Sequence, residues 1–179
     1  MNMDPRTMIL VLGGTGMLLP AVRELLERGH TVALVARRPQ RAGLHPRLLP
    51  VHGDWNDANG LARGVQASLG TARPSKAILW VHSPYKAAVY AALDSLLSPD
   101  AVIVDLTGSA GASPLIARIP EPFCQPRQYR QVVLGFVGKH GRPTRWLTDQ
   151  EVSDGSLKAL DTPGSPQVVG RLEPWDERP

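Results

Sequence analysis

The run Met8–Leu12 carries no charge, and it breaks at once into Gly13-Gly14-Thr15-Gly16 before an amphipathic stretch opens at Leu19. A strand buried on both faces is apolar throughout, so this order reads as strand, tight turn and helix, the start of a parallel β-α-β unit. A turn of this kind leaves the first N–H groups of its helix without intrahelical partners. They point at open space, where a phosphate can sit.

The same alternation continues along the chain. A helix is expected over Pro20–Arg28, stopped by Gly29, then a strand at Thr31–Ala36 and a polar loop or short turn over Arg37–Pro46. A strand follows at Leu48–His52, a helix over Asn56–Leu69 with Asn56 or Asp57 as its N-cap, a strand at Lys76–His82 and a helix over Pro84–Leu97. Beyond them come a strand at Ala101–Leu106, a loop over Thr107–Pro126 rich in Gly, Ser, Pro and Ala, and a strand at Gln131–Val137. A last helix is expected over Thr148–Leu160, a short strand at Gln167–Gly170 and a polar tail, 173–179, expected to fray. Alternation of this kind implies an α/β fold: a doubly wound parallel sheet, Rossmann-like, in three α/β/α layers, with strand order 3-2-1-4-5-6. The 179 residues fit one domain, and no linker divides them.

Four features carry chemistry. In the glycine turn, Gly13 and Gly16 permit close backbone approach to a pyrophosphate, Thr15 adds a hydroxyl, and Met17 and Leu18 complete the contact. Leu19 stands where a third glycine is usual, so the full fingerprint is broken. Arg37 and Arg38 follow the second strand directly, where an acid would bind the ribose hydroxyls of NAD. Two guanidiniums there suit a 2′-phosphate, which favours NADP over NAD. The competing reading is a solvated basic turn that also includes Arg41 and Arg47. Third, Asp54 falls just past the third strand, placed to accept from an adenine amino group while Trp55 covers the ring. Equally, Asp54 or Asp57 caps the next helix. Fourth, Val81, His82 and Thr107 sit at the strand ends that should flank a nicotinamide. His82 and Ser83 are the candidate catalytic groups, His82 because imidazole ordinarily titrates near neutrality. The bland alternative makes His82 a loop-ordering residue and Ser83 and Ser109 plain turn residues.

Together, Gly13-Gly14-Thr15-Gly16-Met17-Leu18, Arg37-Arg38, Gly53-Asp54 and Thr107-Gly108-Ser109 resemble the atypical, nucleotide-binding branch of the short-chain dehydrogenase/reductase superfamily, over roughly Met8 to Leu160. Arg145-Trp146-Leu147-Thr148-Asp149-Gln150-Glu151 is similar to the ending of short bacterial proteins described only as short-chain dehydrogenases. Its Thr148 and Glu151 also make a capping box, a structural explanation. Catalytic members of the superfamily use a Tyr-x-x-x-Lys pair, and this chain lacks one. Val89 follows Tyr85 by four residues, Asp94 follows Tyr90 and Val133 follows Tyr129. Pro114, Pro120, Pro122 and Pro126 argue against the helix that normally carries the pair.

The resemblance implies an oxidoreductase passing hydride from NADPH to a small acceptor (a flavin, quinone or carbonyl compound) without the Tyr/Lys pair. Its alternative is a non-catalytic NADP(H)-binding redox sensor. No metal site is expected. The net charge is +4 with only four lysines, Lys76, Lys86, Lys139 and Lys158, and the cations are scattered. Nucleic-acid binding through Arg127, Arg130, Lys139, His140, Arg142 and Arg145 is therefore the weakest reading. Cys124 stands alone, so no intrachain disulfide can form, and no run of about 20 apolar residues is present. A soluble cytoplasmic protein is expected, with a homo-oligomer as an open option and no membrane partner.

Overall fold

A computed structural model describes residues 7–108, 123, 127–139, 142 and 144–179. The expected loop Thr107–Pro126 beyond Gly108, with Ser109 and Cys124, lies almost wholly outside the described residues, and so does His140.

One seven-stranded sheet carries the fold. Its strands are β1 (Met8–Leu12), β2 (Thr31–Ala36), β3 (Leu48–His52), β4 (Lys76–Leu79), β5 (Val102–Gly108), β6 (Gln128–Leu134) and, as a seventh at the edge, the strand Gln167–Val169. The order is β3-β2-β1-β4-β5-β6 and then the Gln167–Val169 strand, and every neighbouring pair is parallel. The expected order 3-2-1-4-5-6 is the one observed. Ile9, Leu10, Val11 and Leu12 are all fully buried, as a central strand covered on both faces requires.

Four helices cover the two faces: α1 (Leu19–Glu27), α2 (Ala58–Leu69), α3 (Ser83–Leu93) and α4 (Asp149–Asp161). One face packs α1 and α4 against Ile9, Val11, Ile78, Val104 and Val132. The other packs α2 and α3 against Leu10, Leu12, Ala33, Leu79 and Ile103. In α1 the buried set is Ala21, Val22, Leu25 and Leu26, one stripe of an amphipathic helix. Gly29, at φ 88°, ends it, with His30 N–H donating to the Leu25 carbonyl at 3.0 Å. Asp57, not Asp54, caps α2, accepting from the Gly60 N–H at 2.8 Å. Thr148 and Glu151 form the expected capping box of α4.

Three boundaries differ from expectation. The fourth strand stops at Leu79, and its last three expected residues, Trp80 to His82, turn into α3. The fifth runs on to Gly108, so Thr107 is a strand residue rather than a loop residue. The expected strand Gln131–Val137 is two pieces, β6 and β7 (Phe136–Val137), and β7 pairs antiparallel with β8 (Arg145–Trp146), which makes the Gln167–Val169 edge strand β9. The break falls at Gly135, where an added Cβ would stand 2.2 Å from the Arg171 carbonyl oxygen. The chain crosses itself too closely there for any side chain. In the terminal segment Arg171 pairs with Glu177 at 2.6 Å, and Thr144 Oγ1 donates to the Glu177 carbonyl at 2.5 Å.

Candidate nucleotide-binding cleft

The carboxyl ends of β1, β2 and β3 are tied together by the ladder that continues past them. Gly13 N–H donates to Val35 O at 3.0 Å, Gly53 N–H to Ala36 O at 3.1 Å and Trp80 N–H to Leu12 O at 3.2 Å. Outside those ends lies a cleft of about 920 Å³. It stands where open α/β sheets take ligands, at the point where the strand order reverses between β1 and β4.

The turn between β1 and α1 forms one wall, with Gly13, Thr15, Gly16 and Met17. The glycines do different work. A Cβ on Gly14 would stand 2.2 Å from Leu34 Cδ1, 3.0 Å from Val22 Cγ2 and 3.1 Å from Val11 Cγ1. Gly14 is therefore the residue that lets helix and strands close on one another, the task usually given to the third glycine, whose place Leu19 takes. A Cβ on Gly16 would meet nothing within 4 Å. That emptiness faces the cleft beside the N-terminus of α1, which has no side-chain cap.

The opposite wall is basic. Arg37, Arg38 and Arg41 are exposed and line the cleft. Among the described residues, no side-chain hydrogen bond or ion pair engages any of the three guanidiniums, and the one bond between them is the Arg41 backbone N–H to the Arg38 carbonyl at 3.2 Å. Below them sit Gly53, Asp54, Trp55 and Asn56. Asp54 Oδ1 accepts from the Asn56 backbone N–H at 3.0 Å and from its Nδ2 at 2.9 Å. Those bonds, with a smaller pull from the Arg37 charge, hold its carboxyl below the usual carboxylate range.

Trp80, His82 and Tyr85, which follow β4 on the other side of β1 from the arginines, also line the cleft, as does Asp149 of α4. Trp55 and His82 rings lie 5.0 Å apart, Trp80 and His82 5.5 Å in an edge-to-face contact, and Trp55 and Tyr85 6.2 Å. Trp80, Tyr85, Arg41 and Asp149 were not singled out for this site in the sequence. Trp80 and Tyr85 read there as strand and helix residues, and Asp149 only as part of the string 145–151.

Nine expected site residues therefore meet in one cleft: Gly13, Thr15, Gly16, Met17, Arg37, Arg38, Asp54, Trp55 and His82. Four do not line it. Leu18 and Val81 are buried in the two apolar cores, at 0% and 1% exposure. Ser83 is the exposed first residue of α3. Thr107 instead accepts from Lys86 Nζ at 3.3 Å.

That lysine belongs to a second polar cluster on the α3 side of the sheet. Asp105, 2% exposed, accepts from Lys86 Nζ at 2.9 Å and Tyr90 OH at 2.5 Å through Oδ1, and from Tyr129 OH at 2.6 Å through Oδ2. Lys86 also donates to the Leu106 carbonyl at 3.1 Å. Burial first, and the Asp105 charge second, push both tyrosine hydroxyls far above their ordinary titration range.

Three of the cations weighed for nucleic acid have partners in the protein for their side chains. Arg127 pairs with Asp94, buried Arg130 donates to the Ala159 and Leu160 carbonyls at 2.8 and 2.9 Å, and Arg145 pairs with Glu151 at 2.8 Å. Among the described residues, no group of three or more His, Cys, Asp or Glu is placed to hold a metal ion, and no helix is long and apolar enough to cross a membrane.

No known family model matches the sequence, and no curated protein matches it. The structure is similar to many solved ones. A short-chain dehydrogenase from Burkholderia cenocepacia J2315, in complex with NADP, superimposes with a TM-score of 0.66 at 19% identity, over 95% of this chain and 91% of that one. The fold is that of the short-chain dehydrogenase/reductases. A short chain dehydrogenase family protein from Francisella tularensis gives a TM-score of 0.69 at 14% identity, covering 92% of this chain and 97% of that one. A carbonyl reductase from Pseudomonas aeruginosa PAO1 gives 0.59 at 20% identity, covering 87% and 90%.

Proposed function

We propose that this protein binds NADP in the cleft and acts as an NADPH-dependent oxidoreductase of the short-chain dehydrogenase/reductase type, without the usual Tyr/Lys pair. The observation that carries it is a cleft with two phosphate-seeking walls facing each other: the open Gly16 cradle and the arginines Arg37, Arg38 and Arg41. Two of the similar structures, from Burkholderia cenocepacia and Burkholderia multivorans, hold NADP.

The residues fit the cofactor. The uncapped end of α1 and the Thr15 hydroxyl would hold the diphosphate, and Arg37 and Arg38 the 2′-phosphate through charge-assisted bonds. Asp54 would accept from the adenine amino group, with Trp55 against the ring. When bound, NADPH supplies a hydride. The chain's own part is to fix the geometry between donor and acceptor, a contribution that lowers a barrier by about 7–11 kcal/mol in the best cases. His82, which lines the cleft, would give a proton to the acceptor. Ser83 stands outside it, which leaves His82 to act alone or with solvent.

That thin catalytic complement favours a second reading, an NADP(H)-binding sensor without turnover. The discriminating experiment follows NADPH consumption by absorbance over a panel of flavins, quinones and aldehydes. Turnover with one class, falling at least about tenfold in His82→Phe at unchanged NADPH affinity, supports the enzyme. No turnover across the panel, with NADPH bound, leaves the sensor.

A further inference from the structure

We propose that the part of the cleft across β1 from the arginines is a seat for a positively charged planar ring, so that the chain binds the oxidised pyridinium form of NADP in preference to the uncharged dihydro form. This rests on the NADP reading above and adds a ligand state to it.

Trp80 is the floor of that seat. Its Cδ1 stands 3.2 Å from where a Cβ on Gly13 would be, and its Cη2 3.8 Å from where one on Gly108 would be. Gly13 follows β1 and Gly108 ends β5, the two strands that flank β4. The indole therefore lies across three adjacent strand ends. Part of it packs on the core beneath α1 and α4, and it remains half-buried and lines the cleft. His82 stands edge-on beside it.

Asp149 supplies the sign. It lies in the first turn of α4, is exposed, and lines the same cleft as Trp80. Among the described residues, no ion pair or hydrogen bond offsets its side-chain charge. An acid there also suits the dipole of α4. The helix dipole does not require that the acid line the same cleft as a half-buried indole.

The cleft thus has three guanidiniums after β2 and, across β1, the Trp80 indole after β4, with Asp149 on α4, the helix that packs over β4, β5 and β6. A dinucleotide whose 2′-phosphate meets Arg37 and Arg38 and whose diphosphate meets Gly16 carries its second ring away from the arginines, toward Trp80. The two redox forms are alike except at that ring, which is cationic when oxidised and neutral when reduced. An indole face and a carboxylate attract the cation and do little for the neutral ring.

The test is calorimetric titration of the whole chain with NADP⁺, with NADPH and with adenosine 2′,5′-bisphosphate, which lacks the nicotinamide. We expect NADP⁺ to bind about three- to thirtyfold more tightly than NADPH, the span of cation–π attraction from exposed to desolvated sites. The ratio should shrink in Asp149→Asn, an exposed change that leaves Thr148 and Glu151 in place, and fall to near one in Trp80→Leu. Trp80→Phe, which keeps an aromatic face, should retain part of it. Equal affinities for the two redox forms with the bisphosphate still bound, or a ratio unmoved by both Asp149→Asn and Trp80→Leu, overturns the seat alone. Failure of the bisphosphate to bind overturns the NADP reading with it.

Discussion

The two halves of the sheet treat their polar groups in opposite ways. Around the ends of β1, β2 and β3, the Arg37, Arg38 and Arg41 guanidiniums make no side-chain bond to the described protein, the N-terminus of α1 has no side-chain cap, and Gly16 faces empty space. Around β5 and β6, Asp105 takes three donors on its two oxygens and Lys86 gives to three acceptors. Both regions are rich in charge and hydroxyls. Groups left open to a cleft are available to a ligand, whereas groups that satisfy one another in the interior hold the fold. Chemical type alone does not separate a site from a scaffold.

The comparison breaks most visibly at Asp105. Asp105→Ala leaves two tyrosine hydroxyls without their acceptor and Lys86 without its ion-pair partner, and should cost about 3–5 kcal/mol in urea unfolding, the usual penalty for stranding one partner of a buried pair. A cost below about 1 kcal/mol would place this cluster with the open groups. On the other side, Arg37→Gln with Arg38→Gln should leave the urea midpoint nearly unchanged. It should weaken NADP⁺ by about 1.5–3 kcal/mol for each charge-assisted bond lost, read by calorimetry. A large loss of stability with intact affinity would reverse the assignment of the two regions.

Gly16→Ala sharpens the contrast within a single turn. No protein atom lies within 4 Å of the added methyl, and its φ is outside the left-handed range, so stability should hold or rise by up to about 1 kcal/mol. NADP⁺ affinity should drop about tenfold as the methyl enters the phosphate cradle. The smallest effect belongs to the α4 capping box. There Glu151 bonds to Arg145 and to the Thr148 backbone, which lowers its carboxyl from 4.5 to about 2. A depressed folded-state value gives stability that is complete above pH 4.5 and is lost as pH falls through about 2. The gap in urea midpoint between the native chain and Glu151→Gln should therefore be present at pH 5 and gone below pH 2.

How far the molecule was legible follows from the same contrast. The strand order and the basic wall come from short stretches whose meaning is local: an uncharged run, a glycine turn, two arginines after a strand. Gly14 was harder to read, because its role depends on Leu34 and Val22 arriving from two other elements. Trp80 looked like a strand residue, yet β4 ends at Leu79 and turns the indole across its neighbours' ends. Asp149 reaches the cleft because α4 docks on distant parts of the chain, through Val152, Leu157 and Leu160 in the core and Ser153 donating to the Met17 carbonyl at 2.8 Å. The Lys86–Asp105–Tyr129 cluster joins residues from a helix and two strands, so no spacing rule announces it. Leu18 and Val81 were misplaced for a related reason. Each neighbours a cleft residue in sequence, and the backbone there turns its side chain into a core.

The claim on which the rest depends is that the Gly16 cradle and the Arg37–Arg38 wall act together on one molecule that carries both a diphosphate and a 2′-phosphate. Calorimetric titration of folded protein with NADP⁺ and with NAD⁺ tests it directly. The account predicts saturable one-to-one binding of NADP⁺, at least about tenfold tighter than NAD⁺, with the difference erased in the Arg37→Gln, Arg38→Gln double variant. Undetectable binding of both coenzymes, or a preference for NAD⁺ that the double variant leaves untouched, would contradict it.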